Sequence, residues 1–527
     1  MVNTFFIRNS IIILLSLFSI NTLSAQKSLL TDIPNRYVSE NKFLQKSPDN
    51  MIPRSFEECK AKLPQPEWEA CPDAISAYWK AWEIAFSNLY TVEPGSGLIS
   101  PYIDAAFNRH LFMWDSSFMV MFGRYGKNAF NFQQTLDNFY AKQHRDGFIS
   151  REISQIDGSE SFEKYDISST GPNLLPWAEW EYYLMFGNKE RLKDVFPALL
   201  AYYQWFRSNY SWPDGSYFSS GWGCGMDNQP RLQKGYSVDF SHGFMSWVDI
   251  TIQQVFAGNI LVEIAEIINR RDDVKDIIEE NKFLRQYVRD KMWDEASAYY
   301  YDLYRDGTPN YVKSIAAYWS LLANIVPDDK LERFLEHLSN PMEFNRNHRP
   351  PTLSADHLGY EPDGGYWRGG VWAPTTYMLL KGLTNCKQDS LAYEIALNHY
   401  NNVIDVYNRT GTLWENYAPE KGFFPKQSRK DFVGWTGITP ISILFEYIYG
   451  IHIQPEGNSV VWDVRLTDTF GVKNLPVGKG NFADFICHKR KRKTDKPDIR
   501  VKSDRDITLK LIWEGGSEII YIKGTSL

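Results

Sequence analysis

Residues 361–383 read EPDGGYWRGGVWAPTTYMLLKGL. The first half is a loop of Gly, Trp, Arg and acidic residues. From Val371 to Leu383 the apolar residues fall at three- and four-residue spacing, which predicts a helix with a buried face. Gly369 and Gly370 stand immediately before it. The segment has no GxGxxG and follows no strand-like run, so a dinucleotide reading fails. It joins a ring-rich loop to a core helix, and that unit recurs along the chain.

Working outward, helical spacing also marks 74–89, 117–123, 129–143, 174–185, 191–206, 242–268, 312–325, 330–338, 390–407 and 440–449. That predicts about eleven helices between residues 73 and 450. The connections alternate in character. Some are short and polar. Others, at 103–115, 144–169, 212–239, 351–372 and 411–436, are long and rich in Gly, Trp, Asp, Arg and Tyr. Long aromatic loops after every second helix fit a toroid of inner and outer helices with one functional rim, because binding groups gather on loops held by a rigid scaffold. A repeat solenoid would show a fixed period, and none is visible. From about residue 451 the pattern changes to short apolar runs at 460–466, 482–487, 499–503, 507–512 and 518–521, divided by turn residues, which predicts a small β-domain. The expected division is a helical domain over 73–450, a β-domain over 451–527, and a polar arm over 26–72.

At the N-terminus Arg8 precedes IIILLSLFSI (11–20), and Leu23-Ser24-Ala25 precedes Gln26. This predicts a signal peptide over 1–25, cut after Ala25, and a periplasmic or secreted protein. A retained membrane anchor is the alternative, although the apolar run is short for a span. No membrane span is expected after signal removal. The net charge of −7 offers no field for a phosphate backbone, so nucleic acid is not an expected partner. The one basic run, HKRKRKTDK (488–496), reads as a solvated hairpin or strand edge. Cys59 and Cys71 are close enough in sequence to pair in an oxidising compartment, while Cys224, Cys386 and Cys487 form no CxxC and no zinc pattern. No cofactor is expected. A structural calcium ion is conceivable in the Asp-rich loops, but no EF-hand spacing supports it.

Four segments carry chemistry. GWGCGMDNQPR (221–231) sets Asp227 among Trp222, Met226 and Asn228. Apolar surroundings raise a carboxyl pKa, as a general acid requires. A helix-capping Asp is the other reading. TLWENY (412–417) sets Glu415 beside Trp414 and Tyr417, where a carboxylate can take a proton from water; a salt-bridged loop Glu is the alternative. Arg368, with Trp367 and Trp372, places a fork of donors beside stacking faces, which suits a hydroxyl-rich ring. NRHLFMWD (108–115) offers Arg109, Trp114 and Asp115, the last as an acceptor of sugar hydroxyls or a helix cap. His144 and Trp435 add groups of the same kind. The aromatic content, 18 Trp and 31 Tyr, fits either sugar stacking or a ring-rich core. Neither GxSxG nor HExxH is present.

Taken in order, Trp114-Asp115, Gly225-Met-Asp-Asn228, Tyr366-Trp-Arg-Gly-Gly-Val-Trp372, Trp414-Glu-Asn-Tyr417 and Gly434-Trp-Thr436 resemble glycoside hydrolase family 63 over roughly residues 75–450. The set is also similar to trehalases and mannosylglycerate hydrolase-like enzymes. The resemblance implies a mainly α fold, an (α/α)6 barrel, and inverting hydrolysis of α-glucosides or related α-glycosides. It implies Asp227 as general acid and Glu415 as general base. It places Trp114, Asp115, Trp367, Arg368 and Trp372 around the cleaved sugar. Arg109, His144, Trp222, Asn228, Trp414, Tyr417 and Trp435 complete the expected substrate-binding set. Relatives often carry Gly-Pro-Ile-Trp where this chain has Gly370-Val371-Trp372, so the rim beside the sugar differs. The expected partner is an oligosaccharide or small glycoside. The alternatives are another glycosidase or a polysaccharide lyase on the same toroid, or a non-catalytic glycan-binding protein, which has no need of both carboxylates.

Overall fold

The computed structural model describes residues 33–420, 424, 427–454 and 458–525. The signal-peptide reading, over 1–25, lies outside the described residues. The helices are α1 (Pro72–Ser87), α2 (Met113–Gly123), α3 (Thr135–Ala141), α4 (Leu175–Phe186), α5 (Lys189–Tyr210), α6 (Val248–Ile267), α7 (Lys275–Tyr287), α8 (Trp319–Leu322), α9 (Asp328–Ser339), α10 (Ala373–Asn385), α11 (Asp389–Thr410) and α12 (Thr439–Ile448). The even-numbered helices touch in series: α2 with α4, α4 with α6, α6 with α8, and α8 with α10. Both α10 and α2 then touch the turn Thr436–Ile438 that opens α12. The odd-numbered helices lie outside: α3 on α2, α5 on α4 and α6, α7 on α6, α11 on α10 and α12, and α1 on α11 and α12.

Burial explains this layering. Every residue of α2 and of α12 is buried, as befits a helix apolar all round. In α7 only Ile277, Asn281 and Leu284 are buried, and in α9 only Phe334, Leu335 and Leu338, so these helices keep one wet face. The sequence reading marks no helix at α7, although Ile277, Ile278, Phe283, Leu284 and Tyr287 recur at helical spacing. It also starts the next inner helix at 242, whereas α6 begins at Val248. There Asp302 accepts from the Val248 N–H at 2.8 Å and satisfies the helix end. By length and apolarity α6 would pass as a membrane span, but 72% of its most apolar stretch is buried among its neighbours, as in a core helix. Far from the loops of the site, buried Arg124 on the α2 end bonds Glu181 of α4 and Glu446 of α12, both at 2.6 Å, and Lys381 of α10 meets Glu181 at 3.1 Å. These ion pairs tie four inner helices together at one end of the ring.

The strands used below are β1 (Gln65–Trp68), β2 (His110–Phe112), β3 (Glu152–Ser154), β4 (Ile451–Ile453), β5 (Ser459–Asp463), β6 (Phe470–Pro476), β7 (Phe482–Cys487), β8 (Ile499–Ser503), β9 (Ile507–Trp513) and β10 (Gly516–Ile522). Two four-stranded sheets form, in the orders β1-β6-β7-β8 and β4-β5-β9-β10. All pairs are antiparallel except β5 with β9. Trp462 packs on Phe470 (6.3 Å) and Phe485 (5.5 Å), so the sheets face one another as a sandwich. The expected polar arm thus contributes a strand, β1, to this C-terminal sandwich. The basic run sits in the β7–β8 connection, where Arg492 pairs with Asp495 (2.9 Å) and Lys496 with Glu518 (2.5 Å). Cys59 and Cys71 are both free thiols.

Candidate active site

The loop bearing Asp227 is built by local rules. Ser220 Oγ accepts from the Gly223 N–H (3.0 Å) and opens a single helical turn, Gly221–Cys224. Gly225 ends that turn at φ 78°, and a Cβ there would lie 3.0 Å from the Trp114 ring. Both the left-handed backbone and the close approach demand glycine. Arg231 anchors the far end of the loop. Its buried guanidinium holds Asp249 (2.7 and 2.8 Å) and Asp302 (2.6 and 2.8 Å) and lies 4.3 Å over Trp247.

A second loop is held against the first. Tyr366 adopts φ 64°, a left-handed conformation unfavourable for a bulky residue, following Gly364 (φ 100°) and Gly365 (φ 49°). Its surroundings maintain this shape. Asn228 donates to Gly365 O (3.0 Å) and accepts from Trp367 N (2.9 Å). Trp372 Nε1 donates to Tyr366 O at 3.1 Å. A Cβ on Gly370 would sit 2.2 Å from that same carbonyl. Two results follow. Trp367 stacks flat on Trp372, with centroids 3.8 Å apart and planes at 3°. The Tyr366 hydroxyl donates to Glu415 Oε1 at 3.3 Å.

Glu415 comes from the third loop. Its Oε2 accepts from the Arg429 N–H (3.2 Å), and the Arg429 guanidinium stands 4.0 Å away, stacked over Phe107. Trp435 Nε1 donates to the Glu415 carbonyl at 2.8 Å. These loops enclose one small cavity. Its walls are Phe107, Phe112, Trp114, Asp115, Arg151, Trp222, Asp227, Tyr366, Trp367, Glu415 and Trp435. Arg151 follows from the pairing of β2 with β3, and its Nε donates to Ser168 O at 2.7 Å.

Burial dominates the electrostatics. It pushes Asp227 up to about 6, with the Arg151 charge opposing. It pushes Glu415 up to about 7, against the pull of Arg429 and the Tyr366 hydroxyl. Asp115 is held well above the carboxylate range by burial and by the nearby Asp104 and Glu415. Asp115 lies in the first turn of α2, which Phe112 precedes as the flanking residue, so the carboxylate is not the cap. Its Oδ1 and the Trp114 Nε1 are buried without a hydrogen-bond partner. Both atoms are thus left without the partner that buried polar groups ordinarily have.

The structure brings seven of the sequence-predicted residues to one cavity: Trp114, Asp115, Trp222, Asp227, Trp367, Glu415 and Trp435. It places the others elsewhere. Arg109 pairs with Glu93 at 3.2 Å on the surface, and His144 meets Glu160 at 2.7 Å. Arg368 is drawn back by Glu361 (2.7 Å) and Gly359 O (3.0 Å). Asn228 and Trp372 support the Tyr366 loop from behind. Trp414 stacks on Phe424 at 3.6 Å, and the Tyr417 hydroxyl accepts from the Trp414 N–H. Arg151, Tyr366, Phe107 and Phe112 were not among the predicted residues. Among the described residues, no group of three or more His, Cys, Asp or Glu is arranged to hold a metal ion.

The family described as mannosylglycerate hydrolase MGH1-like glycoside hydrolase domain matches residues 108–436, which carry every cavity residue but Phe107. An uncharacterized protein of Borreliella burgdorferi is 25% identical over 388 residues, 72% of this chain and 79% of its own length. A probable mannosyl-oligosaccharide glucosidase of Schizosaccharomyces pombe is 26% identical over 290 residues, 48% of this chain. The chain spans only 34% of that relative. The family 63 mannosylglycerate hydrolase of Thermus thermophilus, solved in complex with glucose, aligns with a TM-score of 0.56 at 17% identity, covering 69% of this chain and 99% of that one. At that identity the likeness concerns the fold.

Proposed function

The chain belongs to glycoside hydrolase family 63, with a mannosylglycerate hydrolase MGH1-like domain, and on that premise we propose that it hydrolyses an α-glucoside with inversion at the anomeric carbon. The observation that carries the proposal is that Asp227 and Glu415, from separate loops, face one cavity walled by tryptophans. Asp227 gives its proton to the glycosidic oxygen as the bond to the anomeric carbon breaks. Glu415 takes a proton from the water that attacks that carbon from the opposite side. The products are a sugar of inverted configuration and the released alcohol.

The hydrogen bonds support these roles. Glu415 accepts from the Arg429 N–H and the Tyr366 hydroxyl, which favours its ionised form. Asp227 receives no side-chain donor among the described residues. The pKa order of the free enzyme, about 6 for Asp227 and about 7 for Glu415, runs the other way. The pair then holds one proton between these pH values, and roughly a tenth of that population has it on Asp227. We assign the roles from the hydrogen bonds, because only that minor form can react.

The closed series of contacts among even-numbered helices, with odd-numbered helices outside, supports an (α/α)6 barrel as the architecture. It supports a catalytic domain over 73–450 and a β-domain over 451–527. We also propose export directed by residues 1–25. A mature N-terminus at Gln26 in the periplasm or medium is the expected finding, and only unprocessed cytoplasmic protein would refute it.

The function is tested on a panel of α-linked di- and oligosaccharides. Asp227→Asn and Glu415→Gln should each lower kcat about 10²–10⁴-fold. Unchanged hydrolysis in both variants removes the site assignment. NMR of the first-formed anomer should report inversion, and retention would overturn the mechanism.

A further inference from the structure

We propose a second, non-catalytic site for a neutral oligosaccharide in the cavity between α11 and the C-terminal sandwich. The cavity has a volume of about 340 Å³. Ser390 and Tyr393 of α11 form one wall, and Asp463, Arg465, Trp513 and Glu514 form the other, with Lys493 at the mouth. Arg465 ties the walls together. Its Nε holds Asp463 at 2.7 Å, its Nη1 stands 3.4 Å from Ser390 Oγ, and its guanidinium lies 5.1 Å over the Tyr393 ring. The turn after Trp513 is Glu514-Gly515. A Cβ at Gly515 would stand 2.2 Å from Thr494 O and 2.8 Å from Trp513 Nε1, so only glycine lets the turn pack this closely on the indole. Among the described residues Trp513 Nε1 and the Tyr393 hydroxyl make no hydrogen bond, and Lys493 and Glu514 make no ion pair.

Two part-exposed rings with uncommitted donors and acceptors suit a ligand with C–H faces and hydroxyl edges. The charges set its class. Asp463 and Arg465 neutralise each other, and Lys493 and Glu514 contribute one of each sign. The charged side chains that line the cavity thus balance, two of each sign, which favours neither a phosphate nor a carboxylate, and a neutral sugar chain fits it best.

This site is remote from the first. The α10 helix starts next to Trp372, behind the catalytic cavity, and runs for 13 residues, about 20 Å, before the chain turns into α11. A sugar beside Ser390 thus lies beyond the opposite end of the helical ring. Such a site would hold the enzyme on glycan-bearing material without taking part in cleavage. The inference does not rest on the catalytic roles proposed above.

The test uses the full chain carrying Asp227→Asn and Glu415→Gln, which prevents turnover, titrated calorimetrically with maltopentaose and mannopentaose. The expected result is a binding event that Trp513→Ala or Tyr393→Ala weakens about tenfold or more and Trp513→Phe preserves. Trp513→Ala in the otherwise native enzyme should keep its melting temperature and hydrolyse a small α-glucoside within about twofold of the parent. If neither oligosaccharide gives an event sensitive to Trp513 and Tyr393, the proposal is overturned. Tighter binding of inorganic phosphate than of either oligosaccharide at these residues also overturns it. Failure of the catalytic reading would appear separately, as absent hydrolysis by the native enzyme.

Discussion

Replacing Tyr366 by Phe removes a single hydroxyl, 3.3 Å from Glu415 Oε1, and keeps the ring. That hydroxyl stabilises the ionised form of Glu415. A hydrogen bond to a charged group contributes about 1.5–3 kcal/mol, and a bond this long belongs at or below the lower end. Taking about 1 kcal/mol, the loss raises the Glu415 pKa by about 0.7 from its present value near 7. The form with Glu415 ionised and Asp227 protonated then falls about fivefold. The variant should therefore show a bell-shaped kcat/KM profile with a peak about fivefold lower and an alkaline limb moved up by about 0.7 pH unit. The assay is kcat/KM on one α-glucoside from pH 4 to 9. A lower peak with an unmoved alkaline limb would mean that Tyr366 merely shapes the cavity, and an unchanged profile would remove it from the reaction.

Three further outcomes are expected. The Glu415 carboxyl sits near 7 when folded against an ordinary 4.5, so the unfolded chain ionises first as pH rises, and stability is lost between these values. Glu415→Gln should thus stabilise the protein by about 2–3 kcal/mol at pH 8 and not at pH 4; equal melting shifts at both pH values would contradict this. Asn228→Ala leaves Gly365 O and Trp367 N without their partner and lets the strained Tyr366 turn relax. KM should rise about tenfold because Trp367 shifts, with about 1–3 kcal/mol of stability lost, and unaltered steady-state kinetics would count against the positioning role. Arg231→Ala strands Asp249 and Asp302 in the core, and denaturant unfolding should report a loss of about 3–5 kcal/mol, whereas a loss below about 1 kcal/mol would show that water reaches these carboxylates.

Short-range pattern carried much of this protein. The helix α11 was legible because it buries one face and wets the other, so its period shows. The helix α2 was read from residue 117 although it begins at Met113, because a helix buried on every side has no polar face to set its phase. Strand β1 lay unseen in the arm because its partner, β6, is some 400 residues away in the chain. Asp227, Glu415 and five aromatic or acidic wall residues were nameable because each sits in or beside a loop whose glycines and rings are unusual within a short stretch of chain.

The remainder of the site was decided by partners distant in the chain. Arg151 faces the cavity because Ser168 O and the rings of Phe162 and Trp222 hold it there, and nothing in its own neighbourhood predicts that. Arg109, His144 and Arg368 have the right chemistry for a sugar, but Glu93, Glu160 and Glu361 draw each of them away. The hydroxyl of Tyr366 reaches Glu415 only through a left-handed turn that Asn228 and Trp372 maintain. By itself the sequence determined most of what folds into helix or strand and which loops carry reactive groups, because those depend largely on spacing and burial along a few turns. Which of those groups faces the cavity was settled by tertiary structure, because a charged side chain follows its nearest counter-charge, and that counter-charge is fixed only by the fold.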